Sequence, residues 1–316
     1  MDAPASGGRP SFASWLAFWA RASRAPFLTA SLFSVALGAA VARWDGYALS
    51  WGLLLLTMVG VAGAHLGVNL ANDYADDLLG TDAVNRYRSP FNGGAGLIQA
   101  GLVAPRSVLA ASSACLITAA LAGVWLGAAR GPVVLILMSL GFVLGVGYSA
   151  DPLGLMRTGW GEAVAGLCCG PLVAFGSYFV LTGAVSASVL WPSLPCGLLV
   201  SAILVINEVP DYEADRSVNK DNLVVRYGRQ AGVRLHGGLL VLTYGLIALF
   251  PLLGRMPWQA AAAVVTVPTA WRAVRIALAR AEDPVAIIPA NARTILLHAA
   301  VALLITGGYW MAGGRP

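Results

Sequence analysis

Nine long apolar segments, separated by short polar stretches, dominate the hydrophobic pattern of this chain of 316 residues. Each segment is close to the roughly 20 residues that a helix needs to cross the hydrocarbon core of a bilayer. The fifth has the weakest pattern, because Gly and Pro residues near position 170 interrupt it. We predict nine membrane-spanning helices, near residues 27–44, 49–72, 107–128, 132–150, 162–183, 189–209, 235–254, 258–278 and 293–312.

The composition supports a membrane protein. Hydrophobic residues make up 58% of the chain and charged residues 11%, whereas about a quarter of the residues in a soluble domain are charged. This number of charged residues is too small to cover the surface of a soluble protein of this length. Lipid must therefore solvate much of the protein surface. The net charge of +5 does not indicate a nucleic-acid partner, because the basic residues lie between apolar segments and form no basic domain. We also infer no obligatory protein partner.

The N-terminal region differs from the rest of the chain. Residues 1–10 are rich in Gly, Pro and Ser, which predicts disorder. Large apolar side chains then recur at helical spacing in Phe12, Trp15, Leu16 and Trp19, which predicts a short helix lying at the membrane interface. We therefore divide the chain into an N-terminal arm, residues 1–25, and a membrane domain, residues 26–316.

The charged residues predict an orientation. If the N-terminus is cytoplasmic, all but four of the 20 Lys and Arg residues lie on the cytoplasmic side, the four being Arg43, Arg130, Arg255 and Arg315. The positive-inside rule therefore places the N-terminus and the active-site loops on the cytoplasmic side and the C-terminus on the outer side. We expect the protein to lie in the inner (cytoplasmic) membrane of the cell. Of the 15 acidic residues, Asp45 alone falls on the predicted outer side of the membrane. The rule does not explain this second asymmetry, which suggests a chemical role for the acids.

Two polar clusters carry most of this candidate chemistry. They follow the second and sixth predicted spans, so both lie on one side of the membrane, and they consist of Asn72, Asp73 and Asp76, and of Asn207, Asp211 and Asp215. Within each cluster the residues are three and four positions apart and share a helix face. Like charges on one face need a compensating cation, and oxygen ligands of this kind suit Mg²⁺.

Basic residues on the same side complete the pattern. Arg86 and Arg88 follow the first cluster, Arg157 follows the fourth span, and Lys220 follows the second cluster. Together with Mg²⁺ they would bind a polyanion, and a diphosphate fits best. The apolar surroundings indicate that the organic part of this substrate is a lipid. The Gly-rich segment 91–96 is expected to form a flexible loop or lid, and His65 to be a buried polar residue rather than a ligand.

At these residues the chain resembles the UbiA superfamily of intramembrane prenyltransferases. The motif Asn72-Asp73-x-x-Asp76, followed by Asp82, is similar to its first aspartate motif, and residues 207–215 are similar to its second. The segment from Tyr148 to Pro171 also matches, and the resemblance covers roughly residues 20–310. Within the superfamily, the chain is most similar to the dihydroxynaphthoate prenyltransferases of the menaquinone pathway.

The resemblance implies an all-α polytopic membrane protein, a bundle of nine transmembrane helices around a central cavity with cytoplasmic cap loops. It implies Mg²⁺-dependent transfer of a prenyl group from a prenyl diphosphate to an aromatic acceptor, with dihydroxynaphthoate expected for this branch. The implied catalytic residues are Asp73, Asp76, Asp211 and Asp215. The implied metal ligands, for two Mg²⁺ ions, are these four with Asn72, Asp82 and Asn207.

The remaining implied roles concern the two substrates. The expected diphosphate ligands are Arg86, Arg88, Tyr148, Arg157 and Lys220, and Arg24 is expected to hold an acidic acceptor. Two departures from the family pattern bear on the site. Gly80 stands where many members have aspartate, and Pro152 stands where a lysine is expected, which leaves Arg157 as its substitute.

Two alternatives stay open at this point. A UbiA-type terpene cyclase would ionise the same donor but cyclise the prenyl chain itself. A transporter or lipid-binding protein would bind an isoprenoid without breaking it, although transporter sites are typically near the middle of the membrane, whereas the charges here gather at one surface.

Overall fold

The computed structural model describes residues 11–314, and all regular secondary structure in that range is helical. The predicted disorder of residues 1–10 lies outside the described residues. The helices are α1 Phe12–Ala22, α2 Thr29–Trp44, α3 Trp51–Leu79, α4 Thr81–Val84, α5 Pro105–Arg130, α6 Pro132–Ser149, α7 Gly161–Leu167, α8 Val173–Thr182, α9 Leu190–Ser217, α10 Leu223–Tyr227, α11 Arg229–Leu252, α12 Val267–Arg280 and α13 Ile288–Met311. Short 3₁₀ segments, Ala25–Leu28 and Trp258–Thr266, lead into α2 and α12.

Within residues 11–314, nine helical segments are long and apolar enough to cross a membrane, which confirms the predicted number. The second and sixth spans differ from the prediction at one end. They continue to Leu79 and Ser217, well past the apolar segments. Hydropathy marks where the apolar residues stop, whereas the helices continue through the polar residues that follow. The two acidic clusters therefore lie on the last turns of two rigid helices.

The fifth span contains the interruption that its Gly and Pro residues indicated. A π-helical turn, Cys168–Leu172, joins α7 to α8 and contains Pro171, which has no N–H to donate. Gly170 allows this turn to approach α9 closely, since a Cβ there would lie 2.6 Å from the Cα of Gly197. The close crossing fixes the position of α9, which carries the second acidic cluster.

The packed core and the cavity occupy different parts of the bundle. The largest cluster of buried apolar side chains joins α2, α8, α9, α11 and α13, with Leu37, Leu199 and Ile305 among its fully buried members. The other side of α2 and α9, together with α3 and α5 to α8, encloses a cavity. The bundle thus supports the acidic helix ends on one side and leaves them accessible on the other.

The N-terminal arm contains the predicted helix, α1. Phe12, Trp15 and Leu16 are exposed, while Phe18 and Trp19 pack against a small apolar cluster that includes Leu70 of α3. This amphipathic arrangement suits a helix at a membrane interface, and that location stays a prediction.

Candidate active site

The cavity has a volume of about 440 Å³ and is lined by apolar side chains along most of its length. Its polar end lies where α3 and α9 finish. Most of the candidate site residues predicted from the sequence line this end, namely Arg24, Asn72, Asp76, Asp82, Tyr148, Asn207, Asp211, Asp215 and Lys220. The structure therefore brings the two acidic clusters together at the mouth of one apolar chamber.

Lys220 connects the two clusters directly. Its Nζ lies 3.0 Å from Oδ1 of Asp76 and 3.6 Å from Oδ1 of Asp215, and both carboxylates are buried. Asn222 also donates a hydrogen bond of 2.7 Å to Asp215. Burial alone would lower the pKa of Lys220, but the two carboxylates outweigh it and hold the pKa well above its ordinary value. The lysine is therefore a permanent positive charge between the clusters.

The loop between α4 and α5, residues 85–104, covers the second cluster, and we call it the cap loop. Asn85 and Asn92 donate side-chain hydrogen bonds of 2.7 and 2.5 Å to Oδ1 of Asp211. The backbone N–H of Gly93 donates to Oδ2 of the same carboxylate at 3.1 Å. The Gly-rich segment thus lies over the site, as predicted for a lid, and its movement stays a prediction.

Asp73 of the first cluster has a different environment from Asp76. Its Oδ1 lies 3.0 Å from the guanidinium of Arg24, and its Oδ2 accepts a hydrogen bond of 3.2 Å from the backbone N–H of Ala95 in the cap loop. Arg24 also donates to Oδ1 of Asn72 at 2.9 Å. Asp73 lies beside the main cavity rather than in its wall. It connects the N-terminal arm and the cap loop to the metal-ligand candidates.

Asp82 reaches the cavity because the chain reverses after α3. Gly80 ends that helix with φ 78°, in the left-handed region that glycine adopts readily, and this accounts for glycine in place of the aspartate common in the family. Burial raises the pKa of Asp82 to about 7, and the nearby Asp76 and Asp73 add to this shift. Arg88 counteracts it from 3.8 Å. A cation bound nearby would favour the ionised form.

Three of the predicted diphosphate ligands do not line the cavity. Arg86 is exposed, while Arg88 donates to the carbonyl oxygens of Gly93 and Asp82 and so stabilises the cap loop. Arg157 pairs with Asp151. Local loop contacts determine where the guanidinium groups of Arg88 and Arg157 point. Tyr148 and Lys220 are the predicted diphosphate ligands that the structure places in the cavity wall.

Other polar residues at the site were not predicted. Glu208 lines the cavity and directly follows Asn207, so its position next to a proposed ligand was an available signal. Asn291 of α13 donates to Oδ1 of Asn207 at 2.8 Å and holds that side chain from behind. No motif indicated Asn291, nor Asn85 and Asn92 in the cap loop, because their partners are distant in sequence.

The donor chemistry of the polar end fits a magnesium ion. Carboxylate and amide oxygens from both clusters face one space, and Mg²⁺ prefers oxygen ligands. Across residues 11–314, no three His, Cys, Asp or Glu side chains form a ready-made metal cluster. Mg²⁺ is commonly held by one or two carboxylates together with substrate phosphates.

The geometry describes a class of protein. An apolar chamber inside a helical bundle ends in carboxylates, amides and a buried lysine, and this combination suits an enzyme that acts on a lipid with a polyanionic head. Residues 31–291 match the UbiA prenyltransferase family. The chain belongs to that family, and it is an integral multi-pass membrane prenyltransferase.

Relatives and solved structures agree with this assignment. The chain is 31% identical over 260 residues to the 1,4-dihydroxy-2-naphthoate octaprenyltransferase of Mycobacterium tuberculosis, covering 81% of this chain and 84% of the relative. It is 30% identical over 306 residues to the protein of the same name from Mycobacterium leprae, covering 96% and 98%. The structure of a UbiA homolog from Archaeoglobus fulgidus bound to DMAPP and Mg²⁺ has the same fold, with a TM-score of 0.63, 16% identity and coverage of 91% and 98%.

One prediction tests the cap loop. Gly94 has φ 68°, and a Cβ there would lie 2.6 Å from Oδ2 of Asp82. We expect Gly94→Ala to reduce turnover at least about 10-fold, because displacing Asp82 and the loop removes roughly 1.4 kcal/mol or more of transition-state stabilisation. Gly101→Ala is the matched control, since Gly101 has φ 67° in the same loop but nothing within 4 Å of its Cβ position. Equal turnover in the two variants, measured as pyrophosphate release, would contradict the expected role of this contact.

Proposed function

We propose that the chain transfers a prenyl group from a prenyl diphosphate to an aromatic acceptor of the dihydroxynaphthoate class, with Mg²⁺ as cofactor. The observation that carries this proposal is the meeting of both acidic clusters, bridged by Lys220, at the end of an apolar chamber. The names of the mycobacterial relatives support the acceptor. The ligands named for the Archaeoglobus fulgidus structure support the donor class and the metal.

The metal would be held by the oxygen donors of both clusters. We propose two Mg²⁺ ions, one near the end of α3 and one near the end of α9, with the ligands drawn from Asn72, Asp73, Asp76, Asp82, Asn207, Asp211 and Asp215. The chemistry that Mg²⁺ supplies when bound is the neutralisation of negative charge on the departing diphosphate.

The residues of the chain bind the donor and exclude water. Lys220 supplies a fixed positive charge for the diphosphate, and Tyr148 supplies a hydroxyl in the same wall. The apolar walls surround the prenyl chain, while the cap loop covers the mouth through its hydrogen bonds to Asp211. Exclusion of water matters here because water would capture an allylic cation before the acceptor could.

The bond changes follow from the two substrates. The bond between C1 of the prenyl group and the diphosphate oxygen breaks, and its electron pair leaves with the diphosphate. A ring carbon of the acceptor then donates an electron pair to C1 and forms the new carbon–carbon bond. The ring regains aromaticity by losing a proton, or by losing carbon dioxide if the attacked carbon carries the carboxylate.

Arg24 is the proposed ligand for the acceptor carboxylate. It lines the cavity, and its buried Nε has no hydrogen-bond partner among residues 11–314. A buried donor without a partner is costly, and a ligand carboxylate would satisfy it.

We further propose an orientation in the inner membrane, with the cap loop and both acidic clusters on the cytoplasmic side and the C-terminus outside. The distribution of Lys and Arg residues supports this orientation. A water-soluble diphosphate head would then approach from the cytoplasm.

Pyrophosphate release by the purified protein in lipid tests the proposal. Geranylgeranyl diphosphate and octaprenyl diphosphate are supplied with and without dihydroxynaphthoate, in Mg²⁺ or in EDTA. We expect release that requires Mg²⁺ and rises with the acceptor. Equal release without acceptor, giving only cyclic terpenes, would favour a cyclase. No release from any donor would favour a binding or transport protein.

A further inference from the structure

A polar residue lies deeper in the apolar part of the cavity than the acidic clusters. His65 is on the face of α3 that also carries Asn69, Asn72 and Asp76, because these positions are three and four apart, and all four line the cavity. At a rise of about 1.5 Å per residue, His65 lies roughly 10 Å from Asn72 and about 16 Å from Asp76 along the helix. The imidazole therefore faces the region that would hold the first part of a prenyl chain or the acceptor ring.

The orientation of His65 is fixed from α2. Its Nδ1 lies 3.0 Å from Oγ of Ser31, a residue that is 2% exposed. Ser31 engages Nδ1 and His65 lines the cavity, so the other ring nitrogen, Nε2, is available to a ligand.

The other two histidines of the chain have different environments. His236 bonds to Thr294 through Nε2 at 3.0 Å, and His298 is 2% exposed in the helix core. Neither lines the cavity. His65 is thus the histidine that a substrate can contact.

The neighbouring residues indicate which substrate this is. Arg24 lines the same cavity and donates to the carbonyl oxygen of Asn69, one turn along α3 from His65, at 3.4 Å. Phe27 also lines this cavity. A prenyl chain has no polar group that could bond to an imidazole at this depth. An aromatic acceptor has both a carboxylate, suited to Arg24, and a ring hydroxyl.

We propose that His65, oriented by Ser31, binds a ring hydroxyl of the aromatic acceptor and so places the ring on the α2–α3 side of the cavity. This inference rests on the proposed function, because it assigns the acceptor subsite of the same reaction. The acceptor would then be recognised at two points, a carboxylate at Arg24 and a hydroxyl at His65.

The variants that test this are His65→Ala, His65→Gln and Ser31→Ala, assayed for the KM of the acceptor and of the donor separately. We expect His65→Ala to raise the acceptor KM about 10-fold or more, because it removes a hydrogen bond to a buried partner. The donor KM should change less than about two-fold, because a uniform loss of acceptor binding does not involve the donor. Ser31→Ala should have a smaller effect in the same direction, and His65→Gln, which keeps a polar group, should recover most of the loss.

Thr57→Ala is the matched control. Thr57 lines the cavity on the same helix, two turns deeper, but its hydroxyl already donates to the carbonyl oxygen of Leu53. We expect its acceptor KM to match that of the wild type. A rise in donor KM rather than acceptor KM in His65→Ala would overturn the assignment, as would no change in either.

A second measurement compares acceptors that differ at one hydroxyl. Wild-type protein is assayed with dihydroxynaphthoate and with each of its two mono-methyl ethers. We expect kcat/KM for one ether to be at least about 10-fold lower than for dihydroxynaphthoate. The His65→Ala variant should discriminate less between these acceptors. Equal use of all three acceptors by the wild type would contradict the hydroxyl contact while leaving prenyl transfer intact. Wild-type protein that prenylates none of them would overturn the proposed function and this subsite with it.

Discussion

The Asp211→Asn variant is expected to lose prenyl transfer by at least about 10³-fold, the upper end of the effect of removing one strong electrostatic contact in an active site. The substitution keeps the shape of the side chain but removes its negative charge. It also places an amide N–H against one of the three N–H groups that now donate to Asp211, from Asn85, Asn92 and Gly93. Metal binding and the position of the cap loop should therefore fail together, while the helical bundle stays folded.

Asp77→Asn provides the matched control for this experiment. Asp77 is next to Asp76 on α3, does not line the cavity, and accepts a hydrogen bond of 3.0 Å from Gln99. We expect its turnover to stay within about three-fold of the wild type, because Asp77 does not line the cavity and an asparagine there can still accept the hydrogen bond from Gln99. Both variants are assayed for pyrophosphate release and checked for folding by circular dichroism. Near wild-type turnover in Asp211→Asn would contradict the assignment of the second cluster.

The Lys220→Met variant is expected to show the second large effect, on stability. Lys220 separates the buried carboxylates of Asp76 and Asp215, and its side chain is 15% exposed. Removing one partner of a buried ion pair typically costs about 3–5 kcal/mol, because the remaining charge has no compensation. In the absence of Mg²⁺ the thermal midpoint should therefore fall by several degrees.

Mg²⁺ should reverse much of that loss. A cation that binds the folded protein stabilises it by mass action, and it would neutralise the same two carboxylates. Arg226→Met is the control, because Arg226 pairs with Asp221 in an exposed position, where an ion pair contributes about 1 kcal/mol or less. The thermal midpoint is measured for both variants in EDTA and in Mg²⁺. An unchanged midpoint for Lys220→Met in EDTA would show that this lysine is not the compensating charge.

The sequence was sufficient to predict the nine spans and the side of the bundle on which the acids gather. Span length and hydropathy have a direct physical basis in bilayer thickness, so these predictions did not depend on tertiary contacts. The helix spacing also identified Asp76, Asp211 and Asp215 as cavity residues. Spacing was less informative for Asp73, because residues three apart differ by about 60° around a helix. That angle places Asp73 toward Arg24 rather than in the cavity wall.

Irregular loops limited the prediction of the site. Arg88 follows the first acidic cluster and Arg157 follows the fourth span, but they bond to Gly93 and Asp151 instead of lining the cavity. Asn92 contacts Asp211 across a separation of 119 residues. No periodicity determines side-chain direction in such segments, so contacts of this kind required the three-dimensional structure.

The central claim, transfer of a prenyl group to an aromatic ring, is tested most directly by mass spectrometry of lipids extracted after the reaction. Purified protein is incubated with a prenyl diphosphate and dihydroxynaphthoate, in Mg²⁺ or in EDTA. We predict a prenylated ring product that forms in Mg²⁺ and is absent both in EDTA and with the Asp211→Asn variant. Recovery of intact donor and acceptor in Mg²⁺, for donors from geranyl to octaprenyl diphosphate, would contradict the claim.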